Sequence, residues 1–170
     1  MNIFRILKVA DIFTTTNMCF GLLSIFAASN EHFGMAALLM IAAIIMDTLD
    51  GKVASLMHQA NSFGKELDSL ADLISFGVAP AFLYYSLKQP GVGILLILML
   101  FTICGMWRLA RYNISQDKGF EGVPITVNGA VFPALYLLYM YQPATIVIWP
   151  AVYAAMSVLM ISNIRFNRIF

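Results

Sequence analysis

Four aspartates, Asp47, Asp50, Asp68 and Asp72, fall within 26 residues of a chain that is poor in charge elsewhere. The first two are three positions apart and the last two are four apart, so each pair would share one face of a helix. If the two helices are antiparallel neighbours, all four carboxyl groups converge. Carboxylate oxygens are ligands for Mg²⁺, Mn²⁺ and Ca²⁺. The spacing therefore predicts a metal site, and the alternative is that the acids are simply solvated.

The nearby cations do not match this acidic cluster. Lys52 and Lys65 supply two ammonium groups, which do not neutralise four carboxylates in a fixed geometry. His58 is alone in the intervening sequence, and no His or Cys stands among the acids at zinc spacing. Two divalent metals about 3.5–4 Å apart would be held by four carboxylates, an arrangement that clamps phosphoryl oxygens. We therefore expect a site for two ions of Mg²⁺ or Mn²⁺, with Ca²⁺ also compatible.

Small residues stand beside these acids. Gly51 follows Asp50 directly, Gly64 precedes Asp68 by four positions, and Ala54 is nearby. A glycine inside a helix costs about 1 kcal/mol relative to alanine. A bare surface beside a metal pair would let a flat or phosphorylated ligand approach, whereas close helix packing is the alternative explanation.

The composition indicates a membrane protein. Of 170 residues, 61% are hydrophobic, and the charged residues comprise 10 Lys and Arg and 9 Asp and Glu. Soluble domains are about 45–50% apolar and about 25% charged, and disordered chains are still more polar. Both classes are therefore excluded. A net charge of +1 gives no reason to expect a nucleic-acid partner.

Long stretches without charge predict the number of membrane spans. A spanning helix needs about 20 mostly apolar residues, and residues 122–164 carry no charge, which is enough for two spans separated at Gln142-Pro143. The sequence therefore predicts an all-α integral membrane protein with one domain over residues 1–170. Residues 1–10 are amphipathic and predict a short interfacial helix, with a frayed terminus as the alternative. The six predicted transmembrane helices of the 11–164 bundle are 11–28, 33–57, 63–87, 91–112, 124–141 and 144–164.

The loop charges predict the orientation of this bundle. With six spans, one side of the membrane collects nine basic residues and the other side holds only Lys88. Basic residues concentrate on the cytoplasmic side, so we expect both termini and the acidic cluster to face the cytoplasm. The nine are Arg5, Lys8, Lys52, Lys65, Arg108, Arg111, Lys118, Arg165 and Arg168.

Further polar residues are candidates for binding a substrate. Arg108 and Arg111 lie three apart at the end of the fourth span, and arginine has a planar fork that suits a carboxylate or a phosphate. The alternative is that they anchor the helix at the membrane surface. Asn113 and Asn128 are expected to add polar contacts. Asn17 lies inside the first span, where it faces the site or makes a helix–helix hydrogen bond.

The acids, glycines and Ala54 together resemble the signature of the CDP-alcohol phosphotransferases, D-x2-D-G-x2-A-R-x8-G-x3-D-x3-D. Seven of its eight fixed positions are present, and Ser55 replaces the arginine. The resemblance implies six membrane helices, usually in a homodimer. It also implies a reaction in which an alcohol hydroxyl attacks a CDP-linked lipid and CMP leaves. Ser55 puts one contact to the nucleotide phosphates in doubt, and Lys52 is a nearby cation that would substitute.

The resemblance also implies roles for individual residues. Asp47, Asp50 and Asp68 would bind metal, and Asp72 would be a ligand of the second metal and the candidate general base. The residues expected against the nucleotide are Asn17, Asp50, Gly51, Ala54 and Gly64. Arg108, Arg111, Asn113 and Asn128 remain the expected contacts of the acceptor or of a phosphate.

Three segments, 62–80, 108–113 and 122–126, resemble the integral-membrane phosphatidylserine synthases within this family. That resemblance implies L-serine as the acceptor and CDP-diacylglycerol, or CDP-archaeol in archaea, as the donor. Residues Thr126 to Gly129 incline towards an archaeal enzyme. Inositol phosphate or glycerol phosphate are the alternative acceptors. A cation transporter is the non-enzyme alternative, but it predicts acids near the bilayer midplane and inverted repeats.

Overall fold

The computed structural model describes residues 7–57, 62–115 and 120–166, and most of them are helical. A π-helical segment, Leu73–Val78, connects α3 to α4, and 3₁₀ segments at Ile125–Val127 and Pro143–Ile148 lead into α6 and α7. Two short antiparallel strands, β1 (Phe120–Glu121) and β2 (Arg165–Phe166), pair near the end of the chain. The α-helices are α1 (Val9–Ser29), α2 (Phe33–Leu56), α3 (Ser62–Asp72), α4 (Ala79–Lys88), α5 (Val92–Ile114), α6 (Asn128–Tyr141) and α7 (Trp149–Ile161).

In the described part of the chain, five helical stretches are long and apolar enough to cross a membrane, which confirms the prediction of a helical membrane protein. They are Val9–Ser29, Phe33–Leu56, Ser62–Lys88, Val92–Ile114 and Pro143–Ile161. The predicted span 124–141 corresponds to the shorter apolar helix Ile125–Tyr141. All six lie close to their predicted bounds. The predicted interfacial helix falls largely outside the described residues, and α1 begins at Val9.

The π segment lies inside the bundle and contacts α1, α2, α5 and α6. Helix α1 packs along α2, and α5 packs along α7. Between α4, α5, α6 and α7 lies an aromatic cluster, in which the Phe132 ring stacks on Tyr153 at 4.2 Å and Phe101 meets Tyr153 edge-on at 5.0 Å. Large apolar side chains such as Leu38, Leu96 and Val158 are exposed, as expected for surfaces that face lipid.

Pro80 explains the π segment. Proline has no N–H to donate to the carbonyl four residues earlier, which is that of Phe76, and its ring clashes with that carbonyl. The helix widens over Leu73–Val78, and Asn128 Nδ2 donates to the freed Phe76 carbonyl oxygen at 3.2 Å. The Ser75 hydroxyl in turn donates to the main-chain oxygen of Asn17 at 3.0 Å. These bonds fix the helix directly after Asp72.

Candidate functional site

The structure brings the predicted acids together. Asp47 and Asp50 on α2 and Asp68 on α3 each offer a carboxylate oxygen, and these oxygens lie within 4.8 Å of one another. Asp72, the last residue of α3, is buried, and its carboxyl group interacts with the charges of Asp47 and Asp68. Asp47, Asp50 and Asp68 therefore form a compact cluster, and Asp72 lies near it.

Helix α1 holds two of these carboxyl groups from the side. The Thr14 hydroxyl donates to Asp50 Oδ2 at 2.8 Å, and Asn17 Nδ2 donates to Asp72 Oδ1 at 3.2 Å. Both α1 side chains are buried. Asn17, which is predicted to lie against the nucleotide, contacts one of the acids, and its contact with a nucleotide stays a prediction. Thr14 was not predicted as a site residue, although its position three residues before Asn17 places it on the same helix face.

The acid cluster has the donor set of a divalent-metal site. Asp68 Oδ1 is buried and has no hydrogen-bond partner among the described residues. The carboxyl groups of Asp47, Asp68 and Asp72 interact with one another, and a bound cation would relieve the repulsion between such carboxylates. Every ligand atom of the cluster is a carboxylate oxygen, which fits a hard ion such as Mg²⁺, Mn²⁺ or Ca²⁺.

A cavity of about 510 Å³ opens beside the acids. The predicted small residues Gly51, Ala54 and Gly64 all line it. A Cβ atom added at Gly51 would meet nothing within 4 Å, whereas one added at Gly129 would meet the Phe76 ring at 2.6 Å. Packing against the described residues therefore explains Gly129 but not Gly51. The lining residues are Ala10, Asp11, Thr14, Asp50, Gly51, Ala54, Ser62, Gly64, Lys65, Asp68 and Tyr112.

Asp11 is a further acid of this cavity that the sequence did not single out. It is only 3% exposed and lies in the first turn of α1. Its Oδ2 atom accepts a hydrogen bond from the Lys8 main-chain N–H at 2.8 Å. This bond satisfies a free N–H at the helix start, as in a capping box. The three-residue spacing of Lys8 and Asp11 was the available signal.

Arg108 lies next to the acids. Its side chain is only 6% exposed, and its charge interacts with those of Asp68 and Asp72. The guanidinium carbon is 5.4 Å from the centre of the Tyr112 ring, and Nε is buried without a partner among the described residues. A buried arginine whose charge interacts with two carboxylates is not explained by anchoring at the membrane surface.

The other predicted acceptor contacts are bonded to the protein itself. Arg111 donates to the main-chain oxygens of Met160, Ile161 and Ser162, at 3.1–3.3 Å, and to that of Glu121 at 3.0 Å. It thereby satisfies free carbonyls at the end of α7.

The other two predicted acceptor contacts are the asparagines Asn113 and Asn128. Asn113 Nδ2 donates to Ser69 Oγ at 3.0 Å and to Glu66 Oε2 at 3.2 Å, which joins α5 to α3. Asn128 is fully buried at the π segment. Within the described chain, none of the four predicted acceptor contacts, Arg108, Arg111, Asn113 and Asn128, is among the residues that line the cavity.

Comparison with known proteins agrees with this geometry. The sequence profile of the CDP-alcohol phosphatidyltransferase family matches residues 7–166. A CDP-diacylglycerol–serine O-phosphatidyltransferase of Helicobacter pylori is 38% identical over 167 residues, covering 92% of this chain and 70% of the relative. An archaetidylserine synthase of Methanothermobacter thermautotrophicus is 36% identical, covering 96% and 71%. A CDP-diacylglycerol–serine O-phosphatidyltransferase of Bacillus subtilis is 37% identical, covering 90% and 86%.

Proposed function

The chain belongs to the CDP-alcohol phosphatidyltransferase family, and from this membership we propose that it makes a serine phospholipid. It would transfer a phosphatidyl or archaetidyl group from a CDP-linked lipid to the hydroxyl of L-serine and release CMP. The observation that carries the proposal is the convergence of Asp47, Asp50 and Asp68 beside a cavity with a bare glycine wall. The relatives named above, at 36–38% identity over most of the chain, support serine as the acceptor.

The four aspartates are the proposed metal ligands. Mg²⁺ or Mn²⁺ bound to Asp47, Asp50, Asp68 and Asp72, as a pair, would neutralise the pyrophosphate and stabilise the leaving CMP. The protein contributes mainly positioning, because phosphoryl transfer needs little covalent chemistry from side chains. The hydrogen bonds from Thr14 and Asn17 keep two of the carboxyl groups in a fixed orientation.

Asp72 is the proposed general base. The serine hydroxyl oxygen would form a bond to the lipid-linked phosphorus while the bond from that phosphorus to the CMP oxygen breaks. CMP leaves with that electron pair, and the hydroxyl proton passes to the Asp72 carboxylate. Asn17 Nδ2 donates to Oδ1 of Asp72 at 3.2 Å, which orients the carboxylate that would accept the proton.

The cavity walls suggest where the two substrates lie. We assign the surface formed by Asp50, Gly51, Ala54 and Gly64 to the nucleotide, because these residues are contiguous and three of them carry little or no side chain. Arg108 does not line this cavity, but its charge interacts with those of Asp68 and Asp72. We assign it to the serine carboxylate or to a phosphate, since its fork suits either group. Through the bonds described above, Arg111 holds the end of α7, Asn113 joins α5 to α3, and Asn128 bonds the π segment, and we assign these residues a structural role.

The membrane setting completes the proposal. The chain is an integral membrane protein, and a CDP-linked lipid would reach its cavity from the bilayer. The excess of basic residues in the loops on one side supports a sixth span, cytoplasmic termini and an active site facing the cytoplasm. We also propose a homodimer, on the resemblance to the family alone.

The acceptor is tested with purified protein, CDP-diacylglycerol or CDP-archaeol, labelled L-serine and Mg²⁺ or Mn²⁺. The proposal predicts equal amounts of CMP and of a labelled serine lipid, and the preferred donor identifies the lipid tail. Unlabelled inositol phosphate and glycerol phosphate serve as competing acceptors. A protein that forms lipid from either of these, and none from serine with any divalent metal, has the alternative acceptor.

A further inference from the structure

Position 55 is a serine and lacks the arginine of the family signature. Neither Ser55 nor the nearby Lys52 places a positive charge inside the cavity. Ser55 and Lys52 are both exposed, and neither is among the described residues that line the cavity. The sequence pointed to Lys52 as the substitute. The geometry points elsewhere, because Lys65, half-buried on α3, is the basic residue among the described lining residues.

The Lys65 ammonium group is held in place from two sides. Its Nζ atom donates to the main-chain oxygens of Tyr112 at 3.3 Å and Asn113 at 3.1 Å, the last carbonyls of α5. It also lies 4.9 Å from the centre of the Tyr112 ring, within range of a cation–π contact. An ammonium group has three N–H donors, so these two bonds leave one donor and the whole charge for a ligand.

The acids that line the cavity explain why a cation is needed there to bind a phosphate. Asp11, Asp50 and Asp68 line the same space, and carboxylates repel a phosphate unless cations stand between them. Lys65 follows Gly64 directly, on the wall assigned to the nucleotide. A fixed ammonium group beside a bare glycine surface has the chemistry of a phosphate contact, as in phosphate-binding loops that combine glycines with a lysine.

We propose that Lys65 binds a phosphate oxygen of the CDP-linked donor and so supplies the positive charge that position 55 lacks. The proposal rests on the function proposed above. The competing explanation is that Lys65 only caps the C-terminal end of α5, since basic side chains commonly bond the last carbonyls of a helix. The two explanations differ in whether the charge or only the hydrogen bonds matter.

Lys65→Gln separates the two roles, because glutamine retains an N–H donor for the α5 carbonyls but carries no charge. We expect this variant to bind CMP in the presence of Mg²⁺ about tenfold more weakly and to raise the KM for CDP-diacylglycerol by a similar factor. The KM for serine and the melting temperature of the ligand-free protein should stay near the wild-type values. Lys52→Gln is the matched control and should change none of these.

A second substitution tests the link to position 55. If Lys65 provides the charge missing there, Ser55→Arg added to Lys65→Gln should restore CMP affinity at least in part. Wild-type CMP affinity in Lys65→Gln, or equal losses in Lys65→Gln and Lys52→Gln, would overturn the assignment. A lowered melting temperature of Lys65→Gln with unchanged CMP affinity would likewise show that Lys65 only caps α5. A wild-type protein that binds no CMP would instead contradict the proposed function itself.

Discussion

Replacing Gly51 by alanine should make the protein more stable and less active. Gly51 lies in the last two turns of α2 and on the cavity wall. A Cβ atom at this position would meet nothing within 4 Å, so the new methyl group costs no rearrangement of the described structure. If the surface is bare because a nucleotide lies on it, the same methyl group occupies space that the ligand needs.

Gly51→Ala should raise the stability of the protein and lower its activity, and the size of each change can be estimated. Alanine is favoured over glycine in a helix by about 1 kcal/mol, which raises the melting temperature by roughly 2–4 °C in a chain of this size. A methyl group projects about 1.5 Å from the Cα atom. Moving a reacting group by about 1 Å can cost about 100-fold in rate, so we expect kcat/KM for the CDP-linked donor to fall about 10- to 100-fold.

The assay pairs thermal unfolding of the purified protein with CMP release at varied CDP-diacylglycerol. Gly93→Ala is the matched control, because Gly93 also lies in a helix, a Cβ atom there also meets nothing within 4 Å, and it does not line the cavity. That control should keep full activity. Gly51→Ala with wild-type kcat/KM would refute the assignment of this surface to the nucleotide, and a marked loss of stability would refute the claim of open space.

Three further substitutions test other parts of the site. Asp68→Asn should abolish Mn²⁺ binding, measured by electron paramagnetic resonance, and activity, measured by CMP release. Glu31→Gln, at an exposed residue, is the control and should change neither. Retained Mn²⁺ binding in Asp68→Asn would contradict the role of Asp68 as a metal ligand. Asn17→Ala frees the Asp72 carboxylate and should lower kcat about 10- to 100-fold with little change in KM, and an unchanged kcat would exclude a positioning role. Arg111→Ala removes hydrogen bonds from a charged donor, each worth about 1.5–3 kcal/mol, so it should lower the melting temperature and leave the KM for serine unchanged. An unchanged melting temperature with a raised KM for serine would make Arg111 a contact of the acceptor.

Much of the framework could be predicted because it depends on local periodicity. The charge-free stretches placed the helices close to their observed bounds, and the spacing of the aspartates placed each pair on one helix face. A short connection then forced the two faces together. These inferences need only the geometry of a helix and the cost of charge in a membrane.

The remaining features depend on contacts between residues distant in sequence. Pro80 signals a freed carbonyl, but nothing local shows that Asn128 satisfies it across 52 positions. Arg111 lies only three residues from Arg108, yet it bonds the end of α7, so spacing alone gave the two residues the same expected role. Thr14 and Asp11 carry ordinary helix-start signals, and only the packing of α1 against α2 places them at the acids.

The most direct test of the proposed metal and nucleotide site is the anomalous scattering of manganese in crystals grown with MnCl₂ and CMP. We expect manganese peaks among the carboxyl groups of Asp47, Asp50, Asp68 and Asp72, with the nucleotide lying on the wall formed by Gly51 and Gly64. The contrary result would be an active protein, able to transfer lipid to serine, whose crystals show no manganese at the four aspartates and CMP bound elsewhere. That result would contradict the proposed site.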